Sequence, residues 1–151
     1  MKSGTLQTKF KEYSYARKLD LITSNERDFF HTLRRAVNIE HYYIFVQIHL
    51  SALFKHQVRG QSWQGALSKI DRKSVDYVIC TFKRLNPVCG IELDDLSHNQ
   101  PDRIKRDQFV NGLFQRAGLP LLRIKQSDKN NLESLREKLG QIEIPQNFSF
   151  Y

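Results

Sequence analysis

Three acidic side chains occupy positions from which two neighbouring strands could bring them together. Glu92 and Asp94 lie two residues apart at the end of a predicted strand, and Asp76 lies at the start of the preceding one. Side chains alternate along a strand, so Glu92 and Asp94 share one face. If Phe82 and Val88 flank the turn as a pair, Asp76 lies opposite Asp94. Carboxylates this close repel one another until a divalent cation binds, which predicts a site for Mg²⁺, with Mn²⁺ as a substitute.

Two further side chains are candidates for the same site. His98 follows Asp94 by four residues in a predicted loop, where it could act as general acid, general base or ligand. Helix 102–117 is predicted to have an apolar stripe of Ile104, Val110, Leu113, Phe114 and Ala117. Asp107 lies on this stripe and therefore needs a partner, either His98, the metal, or an arginine (Arg103 or Arg123) in a buried ion pair. The alternative for His98 is a solvated histidine in a loop. The alternative for the strand acids is that they end their strands and pair with surface Lys or Arg.

Glu26 and a set of basic residues complete the candidate site. Glu26 comes three residues after Thr23, the spacing of a capping box, and shares a helix face with Phe29, Phe30 and Leu33. Capping is the favoured role, with support of the site as a second one. The basic residues could hold phosphates or be solvated surface charge; they are Lys73, Lys105, Arg106, Arg116, Arg123 and Lys125.

The charge balance favours a polyanionic partner. The 151 residues carry a formal net charge of +8, and each contact with a phosphate releases counterions that strengthen binding. No apolar stretch approaches the roughly 20 residues of a membrane span, and the N-terminus has no apolar signal core, so we expect a cytoplasmic protein without a membrane partner. Cys80 and Cys89 are too few for a disulfide framework and are interpreted as reduced, buried strand residues.

The periodicity predicts one α/β domain, residues 21–140, between a basic arm (1–20) and a tail (141–151). The fold class is α/β, with a mixed four-stranded sheet flanked by helices on both faces and a right-handed crossover to the last strand. A helix from the Thr23 cap to about Asn38 opens the domain. The remaining predicted elements are strand 42–47, a short helix 50–56, a loop with Gly60 and Gly65, strands 75–82 and 88–93, helix 102–117 capped by Asp102, strand 119–125, and a helix from Asn130 or Asn131 to Leu139.

Four stretches together carry a resemblance to a known group of proteins. They are residues 74–79 (SVDYVI), 90–98 (GIELDDLSH), the Arg106-Asp107 pair and 117–124 (AGLPLLRI). The combination resembles a bacterial domain family of unknown function in the PD-(D/E)xK, or restriction-endonuclease-like, superfamily. It is also similar to the very short patch repair endonucleases, which share a strand Asp, an E-x-D with a His soon after, and a Gly-then-Arg fourth strand.

The resemblance implies a restriction-endonuclease-like sheet and Mg²⁺-dependent hydrolysis of phosphodiester bonds, with DNA as the expected partner. Asp76 matches the strand Asp, Glu92 the first acid of the (D/E)xK motif, and Asp94 the position of its Lys. The general-base role would therefore move to His98, Lys125 or Lys73. Two other interpretations stay open: a catalytically inactive nucleic-acid-binding module on the same fold, and a protein-interaction domain whose acids form ion pairs. A homodimer is also left open.

Overall fold

The computed structural model describes residues 13–94 and 101–142. Within them, the helices and strands follow the predicted order, with one further helix, α3, between β1 and β2. The elements are α1 (Ser24–Ala36), β1 (Tyr42–His49), α2 (Leu50–Leu53), α3 (Trp63–Ile70), β2 (Ser74–Thr81), β3 (Pro87–Asp94), α4 (Pro101–Ala117), β4 (Leu121–Lys125) and α5 (Leu132–Gly140), with a 3₁₀ turn, Gln126–Asp128, before α5. Most of the predicted arm and tail lies outside these residues, and so does the predicted loop that contains His98.

The four strands form one mixed sheet in the order β1-β2-β3-β4. Neighbouring strands β1, β2 and β3 are antiparallel, whereas β4 runs parallel to β3. A parallel neighbour needs a crossover connection, and α4 supplies it. The predicted mixed four-stranded α/β sheet is confirmed.

Helices cover both faces of the sheet, which confirms the predicted layering. On one face, Phe29 and Leu33 of α1 and Leu135 of α5 pack against the strands around Tyr77 and Ile91. On the other face, α2, α3 and α4 bury a second apolar cluster, in which the ring of Phe114 contacts that of Phe54 edge-on at 4.9 Å. The two clusters hold the strand ends, and hence the acidic side chains, in fixed positions.

The predicted register of β2 and β3 is wrong by two residues. Tyr77 pairs with Ile91 and Val78 with Gly90, so the same register places Asp76 level with Glu92 rather than with Asp94. An irregularity between Ile79 and Cys80 shifts the pairing near the turn. Phe82 lies beyond β2, where its N–H donates to the carbonyl of His41 at 2.9 Å.

The stretch between β1 and β2 differs most from the prediction. The short helix ends at Leu53 instead of residue 56, and the predicted loop gives way to α3 after Ser62. The Ser62 hydroxyl accepts a hydrogen bond from the Gly65 N–H at 3.2 Å, so Gly65 lies inside a capped helix rather than a loop. Burial of Ile70 in the α2–α4 cluster fixes this helix, although its sequence contains a glycine.

Helix α4 departs from its predicted cap and stripe. Asp102 lies inside the helix, because Pro101 already begins it. Ile104 is 47% exposed and Ala117 is exposed, whereas Phe109 packs into the apolar cluster. The buried side chains of this helix are Val110 and Phe114, and both pack into that cluster.

The remaining local predictions are largely confirmed. Thr23 and Glu26 form the predicted capping box, and Asn131, one of the two candidates, caps α5. Cys80 and Cys89 are free and buried. No helix among residues 13–94 and 101–142 is long and apolar enough to cross a membrane.

Candidate functional site

A polar cleft of about 490 Å³ opens where the start of β2 meets the end of β3. The first turns of α4 and of α1 form its walls. Its lining includes Glu26, Gln47, Asp76, Glu92 and Asp94, with Arg106 and Asp107 from α4. The sheet and the crossover helix therefore gather the predicted acids in one place.

Asp76 and Glu92, which we call the Asp76–Glu92 pair, form the inner part of the cleft. Glu92 is only 6% exposed, and its Oε1 accepts no hydrogen bond from any residue that the structure describes. Asp76 is half-buried, and its Oδ2 accepts the N–H of Leu93 at 2.9 Å. A buried carboxylate oxygen without a donor is costly, so this position calls for a proton or a cation.

The pKa values of the Asp76–Glu92 pair reflect the same shortage of positive charge. Burial, and after it the neighbouring Asp76 carboxylate, raise the pKa of the Glu92 carboxyl to about 7, against smaller opposing effects of Arg106 and of Arg123. Burial likewise raises the pKa of Asp76, against the hydrogen bond from Leu93, and the carboxylates of Glu26 and Asp94 add to the rise. The Asp76 carboxylate thus makes Glu92 harder to ionise.

Asp94 and Asp107 belong to a second group, the Arg123 cluster, which also contains Asn111 and Arg123. The guanidinium of Arg123 donates to Asp94 Oδ1 at 2.7 Å, to Asp107 Oδ1 at 3.3 Å and to Asn111 Oδ1 at 2.9 Å. Of the partners predicted for Asp107, Arg123 is confirmed. Asp94 is thus paired with an arginine on β4.

Arg106 lies between the two groups without fully joining either. Its Nη2 is 4.0 Å from Glu92 Oε1, which is too long for a hydrogen bond, and its Nη1 is 3.7 Å from Asp107 Oδ1. The side chain is 38% exposed and also donates to the carbonyl of Ser74 at 3.4 Å. It is a cation at the mouth of the cleft that solvent reaches.

Glu26 caps α1 as predicted, and it also lines the cleft. Its Oε2 accepts from the backbone N–H of Thr23 at 2.6 Å, and its Oε1 accepts from Gln47 Nε2 at 2.8 Å on the wall of the cleft. The hydroxyl of Tyr77 donates to the Glu26 carbonyl at 2.6 Å, which ties this helix end to the sheet.

Gln47, Ser74 and Asn111 were not among the predicted site residues. Gln47 has a φ of 51° inside β1, and its Oε1 accepts the Ser74 hydroxyl at 3.2 Å. An amide in an otherwise apolar strand was the available signal for Gln47. Asn111 follows Asp107 by four residues, which places both on one helix face.

The other predicted basic residues do not line the cleft, although Lys125 pairs with Asp94 across β3 and β4. Lys73 donates to the carbonyl of Lys69 at 2.6 Å and lies over the ring of Phe109, 5.4 Å from its centroid. Lys105, Arg116 and Lys125 are exposed, and Arg116 is about 15 Å from Arg106 along α4. His98 falls outside the described residues.

The acids form no complete metal site by themselves. Among residues 13–94 and 101–142, no group of three or more His, Cys, Asp or Glu side chains is arranged to hold a metal ion. The Asp76–Glu92 pair still fits a hard divalent cation, since it offers carboxylate oxygens, one of them buried without a donor among those residues. Asp94 would have to leave Arg123 to become a third ligand.

Sequence comparison places the chain with a defined set of proteins. Residues 18–142 match the family described as "Protein of unknown function (DUF2726)". No curated protein and no solved structure gives a significant match.

Proposed function

The chain belongs to the DUF2726 family, and we propose that it is a metal-dependent nuclease that hydrolyses phosphodiester bonds, with DNA as the expected substrate. The observation that carries this proposal is the buried Glu92 carboxylate beside Asp76 in the cleft, whose Oε1 has no hydrogen-bond donor among the described residues. A basic chain that concentrates uncompensated acids in a single cleft is suited to bind a cation and a phosphate together.

Asp76 and Glu92 are the residues that would hold Mg²⁺ or Mn²⁺. The bound ion would supply Lewis-acid polarisation of a phosphate and a lowered pKa for water. Their raised pKa values mean that the two carboxyls retain protons easily in the free protein, so loading the cleft releases protons and is favoured above about pH 7.

Arg106 is placed to bind the substrate phosphate. Its guanidinium is partly exposed at the mouth of the cleft. Among the described residues, the nearest carboxylate oxygen, Asp107 Oδ1, is 3.7 Å away, which is too far for a hydrogen bond. A planar guanidinium can bind two phosphate oxygens at once, which fixes the orientation of the phosphodiester.

Arg123 takes a positioning role in this proposal. It lies beside Glu92 in the parallel pairing of β3 and β4, and it brings positive charge to the place where the resemblance expects a lysine. An arginine cannot give up its proton at physiological pH, so it cannot replace that lysine as a base. The base is expected to be His98, four residues after Asp94.

The resemblance to PD-(D/E)xK nucleases and to very short patch repair endonucleases supports the same chemistry. Asp76 and Glu92, the two residues that match the superfamily motif without departure, are also the pair whose charges lack compensation. Asp94, which departs from the motif, is the acid that Arg123 neutralises. The two acids that match the motif are therefore the two without a hydrogen-bonded arginine among the described residues, and the acid that departs from the motif is the one that has it.

Cleavage assays test the proposal directly. Purified protein is incubated with duplex, single-stranded, nicked and mismatched DNA and with RNA, in Mg²⁺ or Mn²⁺. We expect cleavage of at least one DNA substrate, lost in Asp76→Asn and Glu92→Gln and retained in Glu133→Gln, an exposed acid on α5. His98→Ala is expected to lower the rate about 100-fold or more. Absence of cleavage of every substrate with both ions would contradict the proposal.

A catalytically inactive nucleic-acid-binding module is the second candidate. The observation that favours it is the capture of Asp94 by Arg123, which leaves two rather than three acids for a cation. It predicts salt-sensitive DNA binding that is unchanged in Asp76→Asn and independent of divalent ions. Binding that requires both the metal and the Asp76–Glu92 pair would exclude it.

A further inference from the structure

The connection between α2 and α3 presents an exposed aromatic side chain among basic ones. Trp63, the single tryptophan of the chain, is 52% exposed, and Val58 beside it is 51% exposed. Lys55 and Arg59 are exposed in the same connection. We call Lys55, Val58, Arg59 and Trp63 the Trp63 platform.

Hydrogen bonds orient the Trp63 indole and the backbone beside it. The indole Nε1 of Trp63 donates to the carbonyl of Val58 at 3.1 Å. The carbonyl of His56 accepts from the N–H of Val58 at 3.0 Å and from Gln61 Nε2 at 2.7 Å. Because the indole is already oriented, contact with a ligand would cost little further side-chain entropy.

The stretch of sequence that contains Trp63 carries charge of one sign. Residues 41–70 contain no Asp or Glu, whereas they contain Lys55, Arg59 and Lys69. An apolar protein partner could use Trp63 and Val58, but it would gain nothing from this one-sided charge. A polyanion with flat aromatic groups matches both features.

We propose that the Trp63 platform binds unpaired nucleotides, with a base stacked on the indole and phosphates held by Lys55 and Arg59. Every base offers a π face, so such stacking tolerates any sequence, and flanking cations track the backbone. This inference rests on the proposed function only for the choice of nucleic acid. It narrows the substrate class to one with single-stranded nucleotides near the cleaved bond.

The position of the platform suits that role. Helix α3 rises about 12 Å from Trp63 to Ile70, and Ser74, four residues later, lines the acidic cleft. A strand stacked on Trp63 would need to extend only a few nucleotides to reach the Asp76–Glu92 pair.

The single tryptophan makes the test possible without a label on the protein. The full chain is titrated in EDTA with an oligo(dT) strand of about 15 nucleotides and with a blunt duplex, while tryptophan emission is recorded. We expect quenching by the single strand at lower concentration than by the duplex. Anisotropy of the labelled strand should show about tenfold weaker binding for Trp63→Ala and little change for Trp63→Phe.

The basic residues of the platform have a separate measurement. The double variant Lys55→Gln, Arg59→Gln removes two exposed charges without touching the core, so it should fold normally. We expect the slope of log K against log salt to fall in magnitude by about 1.4, that is, about 0.7 for each single-strand phosphate contact. An unchanged slope would show that these cations do not contact the strand.

The outcomes separate this inference from the proposed nuclease activity. Binding without a change in Trp63 emission would place the nucleic acid elsewhere and overturn the inference, as would the absence of binding at low salt. Because EDTA is present and Glu92→Gln can be used instead of the native chain, quenching does not depend on cleavage. Quenching without nuclease activity would support the platform and count against the nuclease.

Discussion

The two halves of the acidic cleft use the same type of side chain in opposite electrostatic states. In the Arg123 cluster, Asp94 and Asp107 share one guanidinium at 2.7 and 3.3 Å. In the Asp76–Glu92 pair, the nearest guanidinium nitrogen reported for Glu92 is 4.0 Å away, and burial raises the pKa of both carboxyls. The comparison teaches that acids in one cleft can be structural on one side and left open for a ligand on the other.

Removal of the central cation should have the largest effect on stability. Arg123→Met leaves Asp94 and Asp107 beside each other without their shared partner, and we expect the free energy of unfolding to fall by about 2–4 kcal/mol. The lower part of that range takes account of side chains that are about a quarter exposed. Urea denaturation of the variant and of the native chain measures the change.

Two further variants show whether that loss is electrostatic. Arg116→Met, an exposed arginine on the same α4–β4 side, should change the free energy of unfolding by less than about 0.5 kcal/mol. Asp94→Asn introduced into Arg123→Met should recover part of the loss, because one of the unpaired charges is gone. Equal losses for Arg123→Met and Arg116→Met would remove the distinction between the two halves.

A change in the packing of α4 should disturb the Arg123 cluster more than the Asp76–Glu92 pair. A Cβ on Gly90 would lie 2.5 Å from Cε1 and 2.8 Å from Cζ of Phe114, so Gly90→Ala must displace that ring and α4. We expect a loss of about 1–3 kcal/mol by thermal or urea unfolding. The matched variant Gly140→Ala, with open space around it on α5, should be neutral or slightly stabilising.

Conversion of each acid to its amide should change stability in opposite directions in the two halves. In metal-free protein at about pH 8, Glu92→Gln removes a buried charge and should raise the free energy of unfolding by roughly 1–2 kcal/mol. Asp94→Asn removes a partner of Arg123 and should lower it by a similar amount. Urea midpoints for both variants, with equal slopes, give the comparison.

The pH dependence follows from the sign of the shift at Glu92. Its folded pKa of about 7 is above the ordinary value of 4.5, so the folded state binds more protons between these pH values. Stability therefore falls as pH rises through that window and levels off above it. Glu92→Gln should lack this contribution. Identical pH profiles for the two proteins would show that the pKa of Glu92 is not raised in the folded state.

Local signals in the sequence were sufficient to predict the order of the strands and of most helices. The capping box at Thr23 and Glu26 depends on four consecutive residues, and it was predicted correctly. The register of β2 and β3 was not, because it depends on an irregularity between Ile79 and Cys80 that no local spacing reveals. Helix α3 was missed since its stability comes from burial of Ile70 against distant residues.

The sequence predicted which acids line the cleft, but it did not predict which of them pair with an arginine. Spacing along β3 correctly put Glu92 and Asp94 on one face, and helical spacing turned Asp107 inward. The partner of Asp107 stayed open among His98, the metal, Arg103 and Arg123, because the position of Arg123 depends on the parallel pairing of β4 with β3. Tertiary register, not residue type, decided which acids were neutralised.

Addition of a divalent cation should have the smallest effect on stability, and it tests the difference between the two halves most directly. A cation held by Asp76 and Glu92 stabilises the folded chain by mass action, about 1.4 kcal/mol when its concentration is ten times the dissociation constant. We expect about 10 mM MgCl₂ or MnCl₂ at pH 8 to raise the midpoint of thermal unfolding. The rise should disappear in Glu92→Gln and persist in Asp94→Asn, since Arg123 already occupies Asp94. If Asp94→Asn alone abolished it, the cation would lie in the Arg123 cluster, and the assignment of open and structural acids would have to be reversed.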